Sequence, residues 1–114
     1  MMRNKKVALL AVLSAIGFLP ISSAWAEVDA DAAQALAKKG NCFKCHAIEK
    51  RKKAPSYREI AAKQKVKPNA LDYLYKHMHG EALVKTDDGD EPHAPPPEAS
   101  KAEKENLLRW ILSL

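Results

Sequence analysis

The hydrophobic and polar positions of this chain divide into one uncharged run and then four short helical stripes. The run extends from Val7 to Ile21 without a charged residue. Beyond it, Ala33, Leu36 and Ala37 recur at helical spacing and predict a helix over about Asp31–Lys39, with Asp29 as N-cap and Gly40 as its stop. A second helix is predicted from Tyr57 to about Gln64. Pro55 interrupts the chain there, and Ser56 with Glu59 three residues on forms a capping box. A third is predicted from Ala70 to about His79, opened by Asn69 and closed by Gly80, with Leu71, Leu74, Tyr75 and Met78 on one face. The last opens at Ser100, again with a Glu three residues later at Glu103, and turns Leu107, Leu108, Trp110, Ile111 and Leu114 inward. Between Glu81 and Ala99 no helical period is visible, and Pro92 and Pro95-Pro96-Pro97 predict a stiff, irregular path. No strand pattern stands out and no segment repeats, so the expected fold class is all-α with four short helices.

The uncharged run has a different meaning from the stripes. Arg3, Lys5 and Lys6 precede it, and Ser22, Ser23 and Ala24-Trp25-Ala26 follow. That is the layout of a secretory signal peptide, with cleavage expected after Ala26. An uncleaved anchor would need about 20 apolar residues, and this run is shorter. Residues 1–26 are therefore set apart from a single domain over 27–114, with no membrane span after cleavage. A domain of that size builds a small core and gains from a covalent staple. Its aromatics are only Phe43, Tyr57, Tyr73, Tyr75 and Trp110.

Charge adds an asymmetry. Glu27 to Gly80 holds twelve Lys/Arg against six Asp/Glu, whereas Glu81 to Leu114 holds four against eight. Such a distribution can orient a charged partner during encounter, although a solvated mixed surface has the same composition. The basic residues are not interleaved with aromatics, so nucleic acid is not an expected partner.

Both cysteines lie in Cys42-Phe43-Lys44-Cys45-His46. Cys-x-x-Cys-His is the attachment pattern of a c-type haem. Each thiol adds to one vinyl group to form a thioether, and the histidine reaches the iron. The same cysteines would suit a disulfide, but that loop would be tiny and would constrain little. A thioredoxin-like pair wants a strand ahead of the motif, and none is visible. Zinc would need further ligands at workable spacing. No acid–base or nucleophile constellation points to hydrolysis.

With these residues on view, the chain resembles the small bacterial class I cytochromes c, the single-haem periplasmic carriers. The resemblance covers nearly all of 27–114. It rests on Asn41-Cys42-Phe43-Lys44-Cys45-His46-Ala47-Ile48, on Ala54-Pro55-Ser56-Tyr57-Arg58-Glu59-Ile60-Ala61, and on Leu107-Leu108-Arg109-Trp110-Ile111-Leu112. It implies a class I cytochrome c-like fold around one covalent haem c, anchored by Cys42 and Cys45, with His46 as an iron ligand. It implies an electron-transfer protein rather than an enzyme, located in the periplasm and served by redox partner proteins. It also implies that the first and last helices cross, with Leu36 and Trp110 as candidates for the crossing, and that the Pro55 carbonyl accepts the His46 N–H.

Three departures from the family pattern matter. Ala54 stands where glycine is common. Lys50-Arg51-Lys52-Lys53 stands where apolar residues are common, so this loop is expected to be exposed and to favour a partner with an acidic docking surface. The third concerns the distal ligand. The family's late loop usually supplies a methionine sulfur, and here it reads Gly89-Asp90-Glu91-Pro92-His93-Ala94-Pro95. Aligned without a gap, His93 takes the methionine position, which implies bis-histidine ligation and a lowered reduction potential. His77, Met78 and His79 are the nearby alternatives. An open site is the last, and it would suit a gas sensor or a peroxidase-like enzyme.

The mass of the exported protein tests this reading directly. In a host with haem-attachment machinery it should equal residues 27–114 plus one haem. A colourless product with two titratable thiols would overturn it.

Overall fold

The structure, a computed structural model, describes residues 11–19 and 27–114. The cut expected after Ala26 lies outside them. In chain order the elements are α1 (Ala30–Lys39), a 3-10 turn (Cys42–Lys44), α2 (Tyr57–Gln64), α3 (Ala70–Met78), β1 (Leu83–Thr86), β2 (Gly89–Pro92) and α4 (Lys101–Leu112). Among the described residues, no helix is long and apolar enough to cross a membrane.

Local chemistry explains where the helices start. Asp29 accepts from the Ala32 amide and opens α1. Ser56 and Glu59 form the capping box of α2, and Ser100 and Glu103 that of α4, with both reciprocal bonds present in each. Each such cap is worth about 1 kcal/mol. Asn69 precedes α3, but its side chain makes no capping bond, and the helix ends at Met78 with His79 as its C-cap. The expectation of an asparagine cap therefore fails: Asn69 has φ −111° and ψ 31°, outside the extended geometry of the other caps.

The four helices assemble around α4, which packs against α1, α2 and α3. Its Leu107, Leu108, Trp110 and Ile111 are buried with Ala33, Ala37, Tyr57, Leu74 and Met78. Where α1 packs on α4, Ala33 and Ala37 are fully buried in the shared core, and Leu36 is partly buried against it. A reciprocal pair fixes the start of this contact. The Asp29 amide donates to Asn106 Oδ1 at 3.0 Å, and Asn106 Nδ2 donates to the Asp29 carbonyl at 2.9 Å.

The segment expected to be irregular is not so throughout. Leu83–Thr86 and Gly89–Pro92 form an antiparallel hairpin, with Thr86 opposite Gly89 and Leu83 opposite Pro92. Asp87 and Asp88 make the turn, after which Gly89 takes φ +117°. Thr86 Oγ1 accepts from the Asp88 amide and donates to the Gly89 carbonyl, closing the tip. Only Val84 and Thr86 are partly covered. The strands carry almost no apolar alternation, which is why their pattern was illegible. Turn chemistry and backbone pairing make this hairpin.

Gly80 joins α3 to the later loop at φ +75°, and a Cβ there would lie 2.7 Å from the His93 carbonyl oxygen. Gly80→Ala should lose about 1–2 kcal/mol from the left-handed backbone alone. It should also push the His93 segment away. Guanidinium unfolding of the purified protein would reveal the loss as a lower midpoint, and an unchanged midpoint would refute this account.

Candidate functional site

The chain after α1 turns tightly because Asn41 adopts a left-handed conformation, φ 57°, which asparagine tolerates better than most residues. The amides of Cys45 and His46 then both reach the Cys42 carbonyl, at 3.3 and 3.0 Å. This wraps the motif around a single oxygen and turns Cys42, Cys45 and His46 toward one cavity. The two thiols are unjoined and half-buried. Burial pushes the Cys42 thiol up from its ordinary value, partly offset by a hydrogen bond with the Tyr57 hydroxyl. The phenol is itself raised, chiefly by burial.

His46 is fixed from two sides. Its ring stacks on Tyr57, with centroids 5.1 Å apart and planes at 22°. Its Nδ1 lies 2.6 Å from the Pro55 carbonyl oxygen. A carbonyl can only accept, so Nδ1 carries the proton and Nε2 presents a lone pair. Burial lowers the imidazole's pKa, opposed by the Pro55 bond and aided by His93 and His77. A neutral ring is the form that binds a metal. Pro55 is held in turn by the backbone around it, where Ala54 N donates to Cys45 O at 3.0 Å and Tyr57 N to Ala47 O at 2.9 Å.

His93 is held by the same chemistry from the other side. It follows β2 and precedes the proline run, of which Pro96 is buried. Its Nδ1 donates to the Met78 carbonyl at 3.0 Å, leaving its Nε2 as the acceptor nitrogen. The His46 and His93 ring centroids lie 6.2 Å apart, with planes at 39°. An imidazole–metal bond is about 2.0–2.1 Å, so two rings sharing one metal between them have centroids roughly 6 Å apart.

The cavity that these groups line measures about 620 Å³. Close-packed interiors rarely hold voids of such size, and it falls within the range of cofactor sites. Ile60, Leu74, Leu107, Leu108 and Ile111 form its apolar wall. All five predicted site residues, Cys42, Cys45, His46, Pro55 and His93, line it.

Of the alternatives to His93, two line the cavity and one does not. Met78 is buried in the core and also lines the cavity, where its backbone carbonyl tethers His93. His79 is exposed and occupied elsewhere, its Nδ1 donating to the Tyr75 carbonyl and its Nε2 lying 3.1 Å from Lys104 Nζ. His77 does line the cavity, 5.5 Å from the His93 ring, and burial followed by His93 lowers its pKa. Sequence reasoning missed two residues. Tyr57 was given no role at the site, although it stacks on His46 and reaches Cys42. Gln64 entered only as a helix end, although it is buried on the same face as Tyr57 and Ala61. A polar residue on an apolar stripe was the available signal.

The basic run is exposed as expected but partly engaged within the molecule. Lys52 Nζ donates to the Phe43 carbonyl at 2.7 Å, and Lys53 pairs with Asp88 at the hairpin tip at 2.6 Å. Arg51 lies 4.0 Å from Glu59.

Comparison with known proteins agrees with this architecture. The cytochrome c family profile matches residues 30–114. The chain is 35% identical over 109 residues to cytochrome c-552 of Nitrosomonas europaea, covering 96% of this chain and 98% of that protein. It is 34% identical over 110 residues to cytochrome c-551 of Pseudomonas aeruginosa, covering 96% and 97%. Among solved structures it is similar to the class 1 cytochrome MtoD of Sideroxydans lithotrophicus, at 42% identity and a TM-score of 0.70, over 75% of this chain and 96% of that one.

Proposed function

This chain belongs to the cytochrome c family, and we propose that it is an exported, periplasmic carrier whose haem iron is held between His46 and His93. The membership itself makes it a class I c-type cytochrome with one covalent haem c, an electron-transfer protein. The ligand pair, the export route and the docking face are the proposal.

The residues present fit the group. Two unjoined thiols and an apolar wall line one cavity, and His46 and His93 line it too, each with Nδ1 bonded to a backbone carbonyl. Cys42 and Cys45 would hold the macrocycle, and His46 and His93 the iron. Haem, when bound, supplies the one-electron couple. The protein's part is to hold both rings in place. The Pro55 and Met78 carbonyls fix tautomer and orientation, and they make each imidazole a better donor. A site whose donors do not move needs little rearrangement on electron transfer.

The observation that carries the reading is the His93–Met78 bond. A loop histidine on the surface would be solvated. This one is partly buried and tethered to backbone, with its ring 6.2 Å from a second tethered imidazole. Methionine ligation raises haem potentials, so imidazole in its place lowers this one. The tether also argues against an open iron.

The signal-peptide layout of residues 1–26 and the periplasmic class of carrier support export. Lys44 and Lys50, exposed beside the haem motif, support a partner with an acidic face and a small, brief interface. Lys53 contributes less to that face, because Asp88 already neutralises it.

Absorption spectra of the oxidised, reduced, and carbon monoxide-treated reduced protein test the ligand pair. Low-spin bands in both states, no methionine–iron charge-transfer band and no response to the gas are expected. His93→Ala should give a high-spin reduced form that binds the gas, and His93→Met should raise the potential. A wild-type protein that takes up carbon monoxide readily would sink the pairing in favour of an open site.

A further inference from the structure

From Ile60 to Leu71, across the turn between α2 and α3, the chain has no Asp or Glu, and Lys63, Lys65 and Lys67 alternate there, all exposed. Lys53, Lys76 and Lys101 are each paired with a carboxylate, but among the described residues these three lysines make no ion pair. Backbone bonds fix the turn, from Lys65 N to Ala61 O and from Lys67 N to Gln64 O, both at 2.9 Å. It holds Val66 outward, 79% exposed. A lone exposed valine is ordinary. This one stands between two lysines, and Lys67 reaches over Tyr73, with Nζ 5.2 Å from the ring centroid. Tyr73 is itself 47% exposed and lines the haem cavity. Its ring stacks on His77, with centroids 6.0 Å apart and planes at 20°, and His77 lies 5.5 Å from the His93 ring. A run of rings therefore connects this face with the iron site.

We infer that this turn is a docking face of its own, built from residues other than Lys44 and Lys50, and that it takes a redox protein whose apolar contact is ringed by carboxylates. The inference rests on the family assignment for the haem, and its docking part does not depend on which residue is the sixth ligand. Charge complementarity selects the partner. Unpaired cations attract carboxylates from a distance and steer the encounter. Val66 and Tyr73 supply the apolar and aromatic centre of a protein interface, and the lysines supply its rim. Redox encounters need little area, so a face of this size suffices. Electron tunnelling weakens steeply with distance, and the stacked rings shorten the gap between a docked partner and the iron. An anionic membrane would meet the same cations, but it would have no use for a ring stack that leads into the cavity.

The test is the anaerobic stopped-flow reduction of the mature ferric protein by the hydroquinone of an acidic flavodoxin. One electron leaves the anionic flavin hydroquinone, which becomes the neutral semiquinone, and enters the iron. Lys65→Glu/Lys67→Glu is compared with Lys44→Glu/Lys50→Glu. Both change the net charge equally, so a difference between them reports the face. At low ionic strength the first should lower the second-order rate constant about tenfold and the second less. Added salt should narrow that difference. Val66→Ser should slow the reaction even at high salt, where steering is screened. Equal losses would mean that overall charge alone matters, and a larger loss in Lys44→Glu/Lys50→Glu would put docking at the haem motif; either result overturns the proposal. Unchanged rates would overturn it as well, and loss of sedimentation with phosphatidylglycerol vesicles in Lys65→Glu/Lys67→Glu would then make the turn a membrane contact. A protein without haem bands would defeat the haem assignment, and the proposal with it, before any rate is measured. A spectrum incompatible with two imidazoles would defeat His93 as ligand, while the rate comparison would stand.

Discussion

Two hydrogen bonds from imidazole to backbone determine how this site is built. His46 Nδ1 donates to the Pro55 carbonyl and His93 Nδ1 to the Met78 carbonyl. Each bond decides which nitrogen carries the proton, and so which nitrogen is left to face the cavity. Each also ties a ring to a rigid neighbour. Pro55 lies at the capped entrance of α2, and Met78 is the last residue of α3. The site is thereby referred to helices rather than to loops, although both histidines lie outside any helix.

The core is organised around the same need. α4 supplies apolar side chains both to its contacts with the other helices and to the cavity wall. On the α1 side, Ala33 and Ala37 are fully buried in the core that α1 shares with α4. Close packing on one side and a wide cavity on the other follow from one distribution of side-chain sizes: small where helix meets helix, large where the cofactor supplies the missing contacts. The hairpin spans the remaining side. Its tip is tied to the loop after the haem motif by Lys53–Asp88, an exposed pair that solvent and salt screen. It closes the fold at that edge without locking it.

Much of this was readable along the chain because it is local. The capping boxes of α2 and α4 are four-residue patterns, and they appear where Ser56 and Ser100 put them. The haem motif is five residues long and carries its own geometry. The proline frame around His93 set it apart from other loop histidines once the family pattern was in view. The hairpin was not readable, because its register comes from a turn and from backbone pairing, and its side chains are nearly all exposed. Which residues of the α1 stripe are fully buried (Ala33 and Ala37) and which only partly (Leu36) was not readable either. Periodicity gives a helix face, and only the partner helix decides which residue of that face lies at closest approach.

The sequence by itself determined the helices, the thiol pair, the first imidazole and the charge asymmetry, since each depends on residues a few positions apart. The tertiary structure decided what acts across the chain. It brought His93 to face His46 and left His79 at the surface in the grip of Tyr75 and Lys104. It chose the Met78 carbonyl as the tether for His93, and it turned the polar Gln64 inward beside the haem site. These depend on how separate helices dock. Docking follows from the fit of whole faces around one cavity, which no short stretch of sequence contains.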